Sequence, residues 1–335
     1  MKREYLSPWK KHLDDFYEYR QLCGLKSEKA ETYIFLFDRY YLSLGIETLE
    51  FNRDIVEGYV QLHPGEKVTN QSHRATFCRQ FAKYIFKNDI LVNVYIVPPL
   101  CLKGEAVYIP YIYSKSELHN IVKYLDNYPS PEETIGRFNL LPNTINAVST
   151  VIKVLISTGM RCGEVTNLKL SNVDLENNLF IIEIAKNDNQ RIVPFSNSLK
   201  QVIIDYIDKT PFKINKEDYL FQNDYGNQIS RALLYTYFYK ALKNCGIPHF
   251  RGKGPRIHDF RHTFAVMSLT QLQHNEVNVN LALSYLSAYL GHKSLKETQK
   301  YIWMTPSLFE EVKKNMQDYS HFIMDIFGGE KFDED

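Results

Sequence analysis

The sequence has almost no net charge, few cysteines and no long apolar run. Its 40 Lys and Arg against 39 Asp and Glu leave a formal charge of +1, which by itself does not indicate a nucleic-acid-binding protein. The five cysteines are scattered, odd in number and without metal-ligand spacing, which is typical of a reduced, cytoplasmic protein without structural zinc. No apolar run approaches the length of a membrane span, and the first residues are charged where a signal peptide would be apolar. We therefore expect no contact with a membrane.

The residue patterns that announce a cofactor are missing as well. The sequence contains no paired carboxylates, no Cys/His ligand cluster and no glycine-rich phosphate loop, so we predict neither a metal nor a nucleotide cofactor. If this chain acts on a phosphate, side chains must then meet the charge of the reaction. Arginine suits that role because its planar, always charged guanidinium offers several donors to phosphate oxygens.

Helical periodicity fills most of the chain, whose 335 residues are enough for two ordinary domains. Four helices are predicted in the first hundred residues, with these inward faces: Trp9, Leu13, Phe16 and Tyr17; Ile34, Phe37, Tyr41 and Leu44; Ile55, Val56, Tyr59 and Val60; Phe77, Phe81, Tyr84 and Ile85. The prolines at 98 and 99 break this pattern, so residues 98–112 are interpreted as a linker.

The remainder is predicted to be mainly α with a small antiparallel sheet. Ser114 and Glu117 form a potential capping box, and a further helix follows Asn143 and ends at Gly159. Two strands are predicted at 178–185 and 191–195, joined by a polar turn. Further helices are predicted at 197–209, 230–245, 279–290, 294–302 and 306–317, with one more beginning near His258.

Two stretches carry bases and no acid, namely residues 68–88 and 225–258. A solvated helix face is one explanation, but most exposed helices mix the two signs, which favours phosphate contacts. The candidate DNA-binding residues are Arg74, Arg79, Lys83, Lys87, Arg231, Lys240, Lys243, Arg251, Lys253 and Arg256.

A set of six polar residues occurs in a fixed order along the second half of the chain: Arg161, Lys186, His258, Arg261, His292 and Tyr301. Arg161 follows the helix end at Gly159, where Glu164 is near enough to hold its guanidinium by a bidentate pair. His258 and Arg261 stand three apart at a helix start and so share a face. Taken singly, Arg161 could be a surface arginine and Lys186 an ordinary exposed lysine. Together, the six residues could hold a phosphate and attack it.

This ordered set resembles the tyrosine recombinase (phage-integrase) family, closely over residues 110–305 and more loosely before them. The resemblance implies a helical, SAM-like core-binding domain (1–97), the linker (98–112), an α+β catalytic domain (113–318) and a tail for subunit contact (319–335). It also implies site-specific recombination of DNA through a 3′-phosphotyrosine intermediate and a Holliday junction. The segment from Tyr285 to His292 looks like the branch carried by transposons and other mobile elements. Because so few residues precede Trp9, we expect a simple two-domain recombinase without the arm-binding domain of some phage integrases.

The resemblance also implies a role for each residue. Tyr301 would be the nucleophile, and Arg161 and Arg261 would grip the phosphate. His258 would assist proton transfer, Lys186 would protonate the leaving oxygen, and His292 would fill the second histidine position. Four neighbouring residues are predicted to have structural roles instead: a buried hydrogen bond for His262, packing for Cys162, and core positions for Tyr285 and Tyr289.

The implied partners are double-stranded DNA with core-type sites and further copies of the chain, a dimer on each site and a homo-tetramer on two duplexes; accessory proteins are allowed for. The tail carries Phe322, Ile323, Ile326 and Phe327, whose apolar area must dock either on its own domain or on a neighbouring subunit.

Two other functions share some of these features: a type IB topoisomerase, which uses the same chemistry, and a DNA-binding regulator with an inactive site.

Overall fold

We describe a computed structural model, which covers residues 4–24, 28–99, 109–128, 142–182, 190–249, 254–292 and 294–304. These residues form two compact units, one before residue 99 and one after residue 109. Lys186, Arg251, Lys253, the predicted helix 306–317 and the tail 319–335 lie outside the described residues. In the part that is described, no helix is both long and apolar enough to cross a bilayer.

The amino-terminal unit consists of the four predicted helices: α1 (Lys10–Leu22), α2 (Glu28–Ser43), α3 (Arg53–Val60) and α4 (Val68–Lys87). They close around Trp9, which is fully buried and meets the rings of Tyr41, Phe51 and Phe81 edge-on. Edge-to-face contacts of this kind add to the large apolar area that such rings bury. The four inward faces are confirmed except for Leu44, which is 40% exposed because α2 ends one residue earlier.

The carboxy-terminal unit begins with α5 (Lys115–Asp126), α6 (Pro142–Thr158) and the short α7 (Cys162–Thr166). Four longer helices and one short one follow: α8 (Asn197–Lys209), α9 (Arg231–Asn244), α10 (Asp259–His274), α11 (Val279–Leu290) and α12 (Lys296–Gln299). Single 3₁₀ turns occupy Leu170–Asn172 and Ile302–Met304. Helix α6 packs against α5, α8 and α10 and so forms the centre of this unit.

The capping box predicted at the start of α5 is confirmed. The Ser114 side chain accepts from the Glu117 amide, and the Glu117 carboxylate accepts from the Ser114 amide. Just before it, Tyr113 is buried, donates its amide to Thr263 Oγ1 at 3.0 Å and stacks on Phe260. Its neighbour Tyr111 packs against the same core, so part of the predicted linker is built into this unit.

The sheet has three antiparallel strands in the order β1 (Val173–Asp174), β2 (Leu179–Ile182) and β3 (Arg191–Pro194). Both predicted strands are present, and β1 was not predicted because two residues are too few to show an alternating pattern. The pairing of Ile182 with Arg191 sets the register at the end of β2. Arg191 is therefore the first residue of β3, opposite the end of β2.

Candidate active site

Arg161 is held at a helix junction that only glycine permits. Gly159 ends α6 with φ +61°, and a Cβ there would lie 2.5 Å from the Phe264 ring. The chain then turns so that Arg161 caps α7, and its Nη2 donates to the Gly291 carbonyl oxygen at 3.2 Å. The side chain keeps 40% exposure. Arg161 is thus fixed at both ends of its guanidinium, by Glu164 and by the Gly291 carbonyl group, while its side chain stays partly exposed.

Glu164 organises two arginines, and the sequence predicted only one of them. It accepts from Arg161 Nη1 and from the Arg161 amide at 2.9 and 2.8 Å. The bidentate partner, however, is Arg191, whose Nη1 and Nη2 donate to the two carboxylate oxygens at 2.9 and 2.8 Å. Burial raises the pKa of Glu164, but the hydrogen bonds and charge of Arg191, together with the bonds from Arg161, outweigh it and lower that pKa to about 2.

Arg191 is therefore a residue that sequence reasoning missed. Its side chain is only 9% exposed, and its Nε also donates to the Tyr289 carbonyl oxygen at 3.1 Å. It connects β3 to the end of α11 and to Glu164. Its position at the start of a strand gave no signal, because an arginine beside a polar turn is usually solvated.

Arg261 is the buried arginine of the site, with 2% exposure. Nη1 donates to the Gly159 carbonyl oxygen at 3.1 Å and Nη2 to that of Leu290 at 2.6 Å. Burial, followed by the charge of Arg161, lowers its pKa to about 10, so it stays charged at neutral pH. These bonds join α10 to the ends of α6 and α11, and they use only part of the five N–H donors of the guanidinium.

Tyr301 lies against this arginine and is itself 1% exposed. Its Oη is 3.1 Å from Nδ1 of His262, and a hydrogen bond to Arg261 also acts on the phenol. Burial raises the pKa of Tyr301, while the charge and hydrogen bond of Arg261 oppose that rise. The buried hydrogen bond predicted for His262 is confirmed. Its partner was not foreseen, and it is the tyrosine predicted to be the nucleophile.

Two more histidines flank this pair. The His292 ring stacks on Tyr301 with centroids 6.2 Å apart, and its Nδ1 is 2.7 Å from Thr298 Oγ1. His258 stands at the start of α10, exposed, with its ring edge-on to His262 at 4.8 Å. His258 keeps solvent-exposed surface, but the protein atoms around each ring still desolvate it, and this desolvation, followed by the charge of Arg261, lowers the pKa of each of these two histidines to about 4. Both are neutral near pH 7.

The other two tyrosines of this region are placed differently from each other. Tyr285 was predicted to be a core residue, but it is 59% exposed because it falls on the outer face of α11. Tyr289 is half-buried, stacks on Phe264 and points its Oη at the Pro194 carbonyl oxygen, 3.4 Å away. In the described residues, Tyr301 is thus the tyrosine beside Arg261. Cys162 packs against the core as predicted.

The basic row on α4 divides into two kinds of residue. Arg74 is 6% exposed, donates to the carbonyl oxygens of Tyr59 and Gln61 at 2.8 Å and pairs with Glu66. Because the fold already uses its guanidinium, Arg74 is left out of the DNA contacts proposed below. Lys83 and Lys87 are exposed, and Arg79 is half-buried with a bond to Thr76. These three remain candidates.

The second basic stretch is also mixed. Lys240 donates to Tyr128 Oη at 3.0 Å and lies over the rings of Tyr128 and Tyr237, so its ammonium is held by aromatic groups. Arg231 is exposed, and its guanidinium lies so close to Gly163 that a Cβ there would clash with it. Lys243 and Arg256 are exposed. Proximity to Gly163 places Arg231 beside the short helix that Arg161 caps.

The arrangement as a whole suits a phosphodiester. One exposed and one buried arginine meet at the carbonyl groups of residues 290 and 291, and a phenol with neutral imidazoles lies next to them. Arginines fixed before the substrate arrives stabilise the charge of a transition state without reorganising. Among the described residues, no three His, Cys, Asp or Glu side chains are grouped to hold a metal ion.

Comparison with known proteins identifies the family. A model described as the phage integrase family matches residues 131–307, more than half of the chain. A Sinorhizobium fredii protein named as an integrase/recombinase, y4rB, is 26% identical over 322 residues, covering 93% of this chain and 98% of that protein. Tyrosine recombinase XerA of Saccharolobus solfataricus is 33% identical over 151 residues, which are 45% of this chain and 44% of that protein.

Two solved structures are similar in fold. XerH site-specific recombinase, bound to a palindromic difH substrate in a post-cleavage complex, has a TM-score of 0.60 at 19% identity and covers 86% of this chain and 79% of that one. The Tn1549 transposon integrase, in complex with transposon right end DNA, has a TM-score of 0.57 at 13% identity, with coverages of 86% and 93%. At these identities the likeness concerns the fold, and it confirms the predicted fold class.

The chain belongs to the phage integrase family. It is a site-specific DNA recombinase of the tyrosine type, an enzyme that transfers DNA strands.

Proposed function

We propose that the chain is the recombinase of a mobile element, and that Tyr301 is its nucleophile. Tyr301 Oη would attack the scissile phosphorus, form a 3′-phosphotyrosine and release a 5′ hydroxyl group. The observation that carries this assignment is the position of Tyr301 against Arg261, His262 and His292. Because the covalent link conserves the energy of the phosphodiester bond, rejoining needs no other energy source.

Arg161 and Arg261 are the proposed phosphate ligands. Arg161 has a partly exposed side chain beside the Gly291 carbonyl group, and Arg261 is held at the neighbouring Leu290 carbonyl group and against the Tyr301 phenol. Both guanidinium groups are already oriented by carbonyl oxygens or by Glu164. Removing one donor of this kind costs roughly 2.7–4 kcal/mol in barrier, about 10²–10³ in rate.

The leaving 5′ oxygen needs a proton, and we assign Lys186 as the proton donor on the basis of the family resemblance. His258 is exposed at the start of α10 and is proposed to assist proton transfer on the solvent side of the site. His292 is proposed to orient the Tyr301 ring by stacking, since its own Nδ1 is bound to Thr298. Glu164 supports both Arg161 and Arg191 without touching the phosphate.

DNA binding must expose the nucleophile. Tyr301 is 1% exposed, so a phosphodiester can reach its Oη only after a local shift of residues 294–304. The shift required is small, because the phenol already lies beside Arg261, where a phosphate oxygen would be held. We infer that recombination is coupled to DNA binding in this way.

A mobile-element role is supported by similarity to the Sinorhizobium integrase/recombinase and in fold to the Tn1549 transposon integrase. We propose core-type duplex sites as the substrate, a dimer on each site and a homo-tetramer on two duplexes, with accessory proteins allowed for. The candidate DNA contacts in the described residues are Arg79, Lys83, Lys87, Arg231, Lys240, Lys243 and Arg256, with Arg251 and Lys253 proposed from the sequence. A cytoplasmic location stays a prediction.

The tail 319–335 is proposed to dock on a neighbouring subunit. Its four large apolar residues cannot stay in water without cost, since burying each contributes about 1.5–3 kcal/mol. Deleting residues 320–335 should then preserve folding and single-site binding but abolish the paired-site complex. Normal recombination by the truncated protein, or its unfolding, would contradict docking in trans.

The central test is covalent trapping on nicked DNA that carries candidate element ends. The wild-type chain should form an SDS-resistant adduct, and Tyr301→Phe should form none while binding the same DNA, because only the phenolic oxygen is lost. Tyr285→Phe, on the exposed face of α11, is the matched control and should behave as wild type. An adduct with Tyr301→Phe overturns the assignment of the nucleophile.

A further inference from the structure

A buried imidazole contacts the reacting atom of the proposed nucleophile. His262 is 4% exposed, and its Nδ1 lies 3.1 Å from Tyr301 Oη. None of the roles assigned above uses this histidine. His262 and Arg261 both contact the Tyr301 phenol, so a phosphate that Arg261 holds beside this phenol would also lie near His262.

Burial and the charges around His262 keep its imidazole ring neutral. Burial is the main cause that lowers its pKa, to about 3, and His258, Lys300, Arg261 and His292 lower it further. The ring is therefore neutral, whereas burial keeps the phenol of Tyr301 protonated. A neutral imidazole can accept a hydrogen bond from the phenol at Nδ1 when its own proton is on Nε2, and the role proposed below requires this tautomer.

We propose that His262 is a catalytic residue that accepts the phenolic proton of Tyr301 during DNA cleavage. The inference rests on Tyr301 being the nucleophile. As the bond from Tyr301 Oη to phosphorus forms, the proton passes from Oη to His262 Nδ1. The bond from phosphorus to the 5′ oxygen breaks, and that oxygen takes a separate proton from Lys186. Rejoining runs the same steps in reverse, with the His262 imidazolium returning the proton to the phenol oxygen.

The scissile phosphate strengthens this base when it is needed. In the free protein the cations near His262 disfavour a further positive charge. A bound phosphodiester brings one negative charge to Arg161 and Arg261 and so offsets that repulsion. A proton acceptor whose basicity rises as substrate binds matches the requirement that the acceptor act only on a loaded site.

A different role would have the opposite kinetic effect. If His262 only tethered Tyr301 in the closed conformation, losing the hydrogen bond would free the nucleophile and speed cleavage. If His262 accepts the proton, losing it slows cleavage, and the difference separates the two roles without any structure of the complex.

The experiment compares His262→Asn with wild type in single-turnover cleavage of nicked DNA at saturating protein. Asparagine places a polar atom near the position of Nδ1 but cannot take up a proton. We expect a rate loss of about 10²-fold or more, the usual range for general-base catalysis. His274→Asn, an exposed histidine at the far end of the same helix, is the control and should cleave at the wild-type rate.

Two readouts distinguish a base from a structural residue. The deficit of His262→Asn should shrink as pH rises, because hydroxide replaces the missing base, and a deficit that stays constant with pH overturns the proposal. The deficit should persist on a substrate with a 5′-thio leaving group, which needs no acid. The deficit of Lys186→Ala should vanish on that same substrate. If the His262→Asn deficit disappeared on the 5′-thio substrate, His262 would be assisting the leaving group instead of the nucleophile, and the proposal would be overturned.

Nitrogen NMR of the wild-type imidazole gives a test that needs no variant, in case His262→Asn does not fold. Nδ1 of His262 should be unprotonated and Nε2 protonated, and the reverse tautomer overturns the proposal. Faster or unchanged cleavage by folded His262→Asn overturns it as well. In either case Tyr301→Phe would still fail to form an adduct, so failure of this inference is distinguishable from failure of the nucleophile assignment.

Discussion

Each unit of the chain contains a buried arginine–glutamate pair. In the amino-terminal unit, the side chains of Arg74 and Glu66 are 7% and 13% exposed. In the carboxy-terminal unit, those of Arg191 and Glu164 are 9% and 13% exposed. The two pairs have the same chemistry and nearly the same burial, yet of the two only Arg191 and Glu164 lie at the proposed catalytic site.

The difference is the number of cations that each carboxylate serves. Glu66 pairs with Arg74, whose other hydrogen bonds go to backbone carbonyl oxygens. The charge of Arg74 is therefore neutralised and solvated within the fold. Glu164 is shared between Arg191, which is buried, and Arg161, which keeps an exposed side chain. A shared carboxylate thus fixes a second arginine while leaving positive charge for a ligand.

The largest effect is expected from breaking the amino-terminal pair. Arg74→Ala leaves Glu66 buried without its cation, which should lower the free energy of unfolding by roughly 3–5 kcal/mol. Thermal and urea unfolding measure the loss. Replacing both residues by methionine should cost far less than the single change, because no buried charge is then left unpaired. A destabilisation below about 1 kcal/mol for Arg74→Ala would be typical of a surface ion pair and would contradict the buried pairing of Arg74 with Glu66.

Removing Arg161 should affect catalysis and leave the fold intact. Glu164 keeps its bidentate bond to Arg191, so the unfolding temperature of Arg161→Ala should match that of wild type. Cleavage should fall about 10²–10³-fold, because transition-state charge loses one donor. Lys123→Ala, an exposed lysine on α5, is the control for removing a positive charge. Cleavage by Arg161→Ala near the wild-type rate would remove Arg161 from the site.

Acid should weaken the carboxy-terminal unit through Glu164. The pKa of Glu164 in the folded protein, about 2, lies below the ordinary glutamate value of 4.5, so its contribution to stability is complete above pH 4.5 and is lost as pH falls towards 2. The stability difference between wild type and Glu164→Gln should therefore shrink by roughly 2 kcal/mol between pH 5 and pH 2.5. Urea titrations at several pH values measure it. A difference independent of pH would mean that Glu164 acts through shape alone.

The smallest effect concerns the exposed row on α4. Lys83→Ala and Lys87→Ala should each weaken DNA binding several-fold and reduce the slope of log affinity against log salt by about 0.9. Neither change should alter stability, since both side chains are exposed. Arg79→Ala tests whether the half-buried member of the row contributes as well. An unchanged salt slope for all three would remove α4 from the DNA interface.

Much of the fold could be predicted because the required signals are local. The four amino-terminal helices, the Ser114 capping box and the left-handed turn at Gly159 each depend on residues within one or two turns of chain. Exposure was harder to predict. Leu44 and Tyr285 follow the helical spacing of buried residues but lie beyond a helix end or on its outer face.

The site residues divide in the same way. The order of Arg161, His258, Arg261, His292 and Tyr301 identified the family, and no step of that identification needed a distance. The partner of His262 and the role of Arg191 were not predictable, because each depends on elements distant in the chain. His262 reaches Tyr301 across 39 residues, and Arg191 reaches Tyr289 across 98.

The sequence alone determined the helices, the small sheet and the family, and it supplied the residues that we propose to carry the chemistry, since periodicity and residue type are local properties. Tertiary structure alone decided how each charge is used. Arg74 and Arg161 look alike in sequence, but one guanidinium is enclosed by the fold and the other stays partly exposed beside Gly291. The reason is physical: the state of a charged group depends on its desolvation and on the partners that folding brings to it.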